Sequence, residues 1–384
     1  MSTTTITPDS AIAGLRQEEA VLCLAARTVL DARARAELDD RLAAGVDWKR
    51  LWRLGHRHEV LPLVTTTLTA LARPDGAWSV PRDWIDAAQR RRIATLLQNR
   101  AMLDALRDLL TALGSAGVDV IPVKGLVLSS RLYGDLGIRP AADIDILVRR
   151  EQLPEARAVL ARIGYRHAAR PPYEARHHPF HDAQYFGGPE GTTCVELHRG
   201  LAAPAHFRLD PERLWEHSQT VEAFDMPVRL LSDVDTILHL AVHRTRSPLR
   251  LRWLVDIAES LRLLPESDEA ALVEGARAAS ALSAMSVAMD LSNRLCGVPV
   301  SASLRDALAP TAAKRWLLER TCGVPAMFPA TDVADDRQQP HLTYRVFEQD
   351  GAARIVRSLV AVSARKVDKW RDRRATPAAG RLAD

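Results

Sequence analysis

Residues 118–148 break the helical period that runs through most of the chain, and that break constrains the fold more than any other feature. VDVIPV (118–123) is a short apolar strand, and Lys124-Gly125 follows it at once. LVLSSRLY then has helical spacing and is closed by Gly134. DIDILV (143–148) alternates acid and aliphatic residues with period two, as a half-buried strand does. Asp143 and Asp145, two apart, therefore share one face, while Ile144, Ile146 and Val148 turn to the other face and into a core.

Two anions side by side on a strand are unfavourable unless a cation sits between them. Mg²⁺ takes one or two carboxylates together with waters and substrate phosphates. Two-metal transfer sites, with ions about 4 Å apart, call for a further acid. Glu196 in CVELH supplies it, with Val195 and Leu197 directed inward. The expected metal ligands and catalytic acids are thus Asp143, Asp145 and Glu196, with Mg²⁺ (or Mn²⁺) as the ion. Gly125 stands between a strand and a helix, where backbone N–H groups bind phosphate and a missing side chain permits close approach. Lys124 and Arg139 are read as neutralising the charge of an NTP. His198, two residues past Glu196, is placed to orient that acid or to touch a phosphate.

Around this unit the pattern is helical, which predicts an α+β fold: a small mixed β-sheet core flanked by N-terminal and C-terminal helical regions. The divisions are 1–116 (N-terminal helices), 117–205 (the α/β core), 206–320 (a helical domain) and 321–384 (a loop and a basic helix). Within the core, AQYF and TTCVELH flank GGPEG as a hairpin. Ser232 and Asp235 have capping-box spacing at the start of SDVDTILHLAVHR.

The stretch VIPVKGLVLSSRLYGDLGIRPAADIDILV, followed by CVELHRGL and then by LHLAVHR and LRLRWLVDIA, resembles the bacterial "uncharacterised nucleotidyltransferase" family. That family lies in the DNA polymerase β-like nucleotidyltransferase superfamily and is often found near biosynthetic clusters, lasso-peptide ones included. The resemblance covers roughly residues 40 to 290. It implies that Gly125 belongs to the nucleotide-binding turn, that Asp143 and Asp145 hold metal, and that Glu196 matches the third acid. At the turn the superfamily usually has Gly-Ser or Gly-Gly, whereas Leu126 follows Gly125 here, and the interval from Gly125 to Asp143 is longer than usual.

The expectation is therefore a metal-dependent transfer of a nucleoside monophosphate from an NTP to a hydroxyl or phosphate acceptor, either a small molecule or peptide product or a macromolecule. The alternative is a non-catalytic binding or scaffold protein of the same fold, to which Leu126 gives weight. Aromatic content of 5% argues against a base-stacking surface, so nucleic acid is not the favoured acceptor. Cys23, Cys194, Cys296 and Cys322 lie far apart without metal-ligand spacing and read as reduced thiols. No apolar run approaches the length of a membrane span, and the N-terminus lacks signal-peptide features, so a cytoplasmic protein is expected.

Three further groups stand outside this core reading. His177, His178 and His181 cluster in a polar segment that reads as a loop near substrate. His239 and His243, four apart on a helix, read as buried residues bridging to the helix of Asp256. The last helix carries Arg354, Arg357, Arg365, Lys366, Lys369 and Arg371 beside Ile355, Leu359, Val362 and Trp370, and it reads as a solvated helix end, the alternative being a dock for an acidic partner, a peptide or RNA. No Walker A, GxGxxG or G-x-S-x-G motif occurs.

Overall fold

The computed structural model describes residues 12–71, 78–168, 181–187, 193–245, 249–329 and 346–375. The described part of the N-terminal region includes the helices α1 (Gln17–Ala25), α2 (Ala32–Ala43), α3 (Trp48–Arg57), α4 (Leu61–Leu71) and α5 (Arg82–Ser115). Asp31 and Asp47 start α2 and α3 by accepting hydrogen bonds from backbone N–H groups of the first turn. Residues 26–31 separate α1 from α2.

The core follows as β1 (Val120–Val123), α6 (Gly125–Tyr133), β2 (Ile144–Val148), α7 (Leu153–Arg162), β3 (Arg166–His167), β4 (His181–Gly187) and β5 (Thr193–His198). The sheet order is β1-β2-β5-β4-β3, with β2 and β5 parallel and the other pairs antiparallel. The predicted α+β architecture is thus the observed one. A second hairpin, β6 (Gln219–Ala223) and β7 (Met226–Leu230), was not expected from the pattern. Then come α8 (Pro211–His217), which precedes that hairpin, and α9 (Asp233–Arg244), α10 (Leu251–Leu263), α11 (Glu269–Ala278) and α12 (Leu282–Cys296). The chain ends its described course through α13 (Ala302–Ala307), α14 (Ala312–Cys322), α15 (Val324–Met327) and α16 (Ala352–Ala375).

One expectation about β2 needs correcting. The strand begins at Ile144, leaving Asp143 just ahead of it, and all five of its residues are buried, so it is not half-exposed. Ile144, Ile146 and Val148 pack with residues of α5 and α7, as the alternation requires. Leu147, on the opposite face, packs with Ile121 and Val123 against α9, α11 and α12. Helices cover both faces, and the acid face of β2 is therefore an interior surface.

Helices before and after the core share a third cluster, in which α1, α3 and α4 meet α10, α12 and α14. His58 is a polar link within it. Its Nδ1 accepts from Leu251 N at 3.1 Å, and its carbonyl accepts from Arg252 N at 3.2 Å. Burial, reinforced by the Arg57 and Arg250 charges, pushes the ring down to about 3. The folded state thus binds the proton less readily than an unfolded chain titrating near 6.5, so stability is complete above that pH and is lost as pH falls toward 3. Urea unfolding at pH 7 and pH 5 should show wild type losing about 2 kcal/mol more than His58→Gln between the two. Equal losses would show that His58 does not set the acid limit.

Among the described residues no helix is long and apolar enough to cross a membrane, and no disulfide joins the four cysteines.

Candidate metal centre

The parallel register of β2 and β5 sets Asp145 beside Glu196, and Leu147 beside His198. Since side chains repeat every two residues, Glu196 and His198 share the face that Asp145 occupies on the next strand. On the other side of β2, Val123 pairs with Asp145 and hands the chain to Lys124. The centre is assembled by strand pairing from segments about fifty residues apart.

Asp145 is its hub, with 2% of its surface exposed. Oδ1 lies 2.9 Å from Lys124 Nζ and 2.7 Å from His198 Nε2. Oδ2 is buried and has no hydrogen-bond partner. His198 Nε2 is also 3.5 Å from Glu196 Oε2, while Gln184 donates to Glu196 Oε1. Burial by itself would raise the Asp145 carboxyl, but the Lys124 ammonium and the His198 ring outweigh it and hold that acid well below the usual carboxylate range. Asp143 goes the other way: burial, and then the Asp145 charge, push it up to about 7. Lys124 opposes that rise, as does Arg252, while Glu196 adds to it.

The turn that carries Lys124 is strained. Lys124 adopts φ 57° and ψ −143°, a region that side-chain-bearing residues seldom enter. Gly125 follows with φ 35°, and a Cβ there would stand 3.3 Å from the Asp143 carbonyl oxygen. Glycine is thus needed both for its conformation and for the close approach of two segments. Leu126 is buried in the cluster formed with Ala141 and Ile144, which anchors the turn from below.

A cation fits this donor set. Ligand atoms of Asp145, Glu196 and His198 all lie within 4.8 Å of one another, and the uncovered Oδ2 of Asp145 is a buried anionic oxygen with capacity to spare.

Residues 44–297 match the family described as "Uncharacterised nucleotidyltransferase". The chain belongs to that family. Among solved structures it is similar to the one titled "Crystal Structure of ANT(2")-Ia in complex with adenylyl-2"-tobramycin", at 15% identity and a TM-score of 0.33, over 44% of this chain and 94% of that one. No curated protein matches the chain at a significant level.

Within this nucleotidyltransferase, the sequence-predicted residues divide. Asp145, Glu196, His198 and Lys124 come together, and Asp143 joins them electrostatically. Arg139 does not have its expected place. Its guanidinium is 3% exposed and makes three hydrogen bonds of 2.9–3.0 Å to the Asp256 carboxylate, and Nη1 donates to the Gly125 carbonyl at 3.1 Å. Those donors brace the turn from inside, which leaves Arg139 poorly placed to meet a phosphate. Two residues were missed by the sequence reading. Gln184 reaches Glu196 because the β4–β5 register sets them opposite each other, and Arg252 lends its charge to Asp143 from α10.

The His239 and His243 rings lie 5.6 Å apart at a tilt, and His243 meets Trp253 of α10 at 4.8 Å and so links the two helices, although Asp256 is engaged by Arg139 and Tyr133. His177 and His178 lie outside the described residues; the His181 backbone pairs with His198.

Proposed function

We propose that the chain transfers a nucleoside monophosphate from an NTP to a hydroxyl or phosphate acceptor, with release of pyrophosphate, at a divalent cation held by Asp145, Glu196 and Asp143. The observation that carries this reading is the close group of Asp145, Glu196 and His198, two of them buried, beside a strained Lys-Gly turn. A bound cation would neutralise the phosphate charge that builds up as the leaving and attacking oxygens exchange. The residues supply positioning. Lys124 shares the cation's work by meeting triphosphate charge, and the turn at Gly125 offers backbone N–H groups at the start of α6. Gln184 holds Glu196 Oε1, and the other oxygen faces His198 Nε2. The scaffold alternative is weakened by the retention of three acids around a buried Asp145, since like charges held together cost stability and do nothing for a scaffold.

The test is incubation with each α-labelled NTP, a cell extract as acceptor source, and Mg²⁺ or Mn²⁺. Label should move to an acceptor only with a divalent ion present, and chelation should abolish the transfer. Nucleotide binding without any transfer under all of these conditions would sink the reading and favour the scaffold. Gel mobility of the labelled species then separates RNA, protein and small-molecule acceptors.

A further inference from the structure

Four observations about His198 are not used by a centre built from carboxylates alone. The ring is 4% exposed. Nε2 stands between two acids, 2.7 Å from Asp145 Oδ1 and 3.5 Å from Glu196 Oε2. The second oxygen of Asp145 is buried without a partner. And among the described residues, the group of histidine, cysteine and acid side chains that gathers closely enough for one ion contains His198.

We infer that His198 is a direct ligand of the bound cation, making the seat a mixed nitrogen–oxygen site that takes Mn²⁺ or Co²⁺ in preference to Mg²⁺. The inference rests on the transferase reading above and assigns the metal class of that same centre. An ion with bonds of about 2.1 Å joins donors up to about 4.2 Å apart, so three donors within 4.8 Å need only a slight closure. Mg²⁺ demands near-ideal octahedral oxygen coordination, whereas imidazole suits the later first-row ions, with Mn²⁺ accepting both donor types. A histidine that merely oriented Asp145 would address one carboxylate; here Nε2 faces both. Its hydrogen bond to Asp145 uses the Nε2 proton, and ligation uses the other neutral tautomer, with the proton on Nδ1. The ion then takes the place at Oδ1 that Nε2–H and the Lys124 ammonium share in this structure.

The experiment is pulsed EPR on the full chain loaded with Mn²⁺ alone, together with equilibrium titrations of Mn²⁺ and Mg²⁺, for wild type, His198→Gln and Asp145→Asn. Gln can still donate to Asp145, so the variant keeps an orienting contact and removes only the imidazole. Wild type should show ¹⁴N modulation from the imidazole, and His198→Gln should lose it. The same variant should bind Mn²⁺ about tenfold or more weakly while changing Mg²⁺ affinity by less than about threefold. Circular dichroism checks its fold, and His198→Asn serves as a second variant. Absence of ¹⁴N modulation in wild type, or its persistence in His198→Gln, overturns the inference. If Mn²⁺ binding is abolished by Asp145→Asn in that case, the transferase reading survives. If Asp145→Asn leaves Mn²⁺ binding unchanged, the metal centre itself is wrong and this inference falls with it.

Discussion

Asp145→Asn is expected to lower nucleotidyl transfer by roughly 10³-fold while leaving a folded protein. The size follows from the position of the residue. Asp145 contacts both Lys124 and His198 and pairs with Glu196 across β2 and β5. Asparagine keeps the volume and one acceptor but removes the charge that attracts a divalent ion, and a preorganised charge in a dry site counts for more than it does in water. The amide leaves the Lys124 ammonium, 11% exposed, facing a neutral partner, so some stability is lost as well. Label transfer measured beside near-UV circular dichroism separates the two effects. A loss of less than tenfold with native dichroism would take Asp145 out of the mechanism. Glu196→Gln should be milder, because Gln184 still has an oxygen to bind and Asp145 retains its charge.

What could be read in the sequence was what period and neighbouring residues encode. DIDILV and CVELH announced their strands because aliphatic residues alternate with acids, and the strand-Gly-helix order placed the turn. The pairing of Asp145 with Glu196 could be guessed only as strand order, since register is a property of two segments together. Burial of the acid face was not legible, because the helices that cover it lie a hundred residues further on and their own pattern names no target. The β6–β7 hairpin escaped for a local reason. Its turn is Phe224-Asp225, both at φ near 60°, in place of the Asn-Gly or Gly-Gly that marks such turns, and Pro227 interrupts the strand. Arg107 holds this costly turn by donating to the Phe224 carbonyl and pairing with Asp225. A contact from α5, more than a hundred residues away, thus does what sequence rules assign to glycine.

Arg139 shows the same limit with a larger energetic consequence. A basic residue between the Gly turn and the acids invites a phosphate role, and nothing nearby in sequence reveals that Asp256 will enclose it. The pair is 3% and 0% exposed, and Tyr133 adds a hydrogen bond to the same carboxylate at 2.8 Å. Removing one partner of such a pair leaves an uncompensated buried charge, so Arg139→Met or Asp256→Leu should each lower stability by about 3–5 kcal/mol in urea unfolding. The double variant should recover most of that loss, because no charge then remains to be buried. Arg139→Lys should also be costly: one ammonium cannot reproduce a fork that holds Asp256 and the Gly125 carbonyl together. The turn beneath the proposed triphosphate would loosen with it, so the KM for NTP should rise in step with the loss of stability across the series. An Arg139→Lys protein with an unchanged urea midpoint and a weakened NTP interaction would instead return Arg139 to the phosphate site.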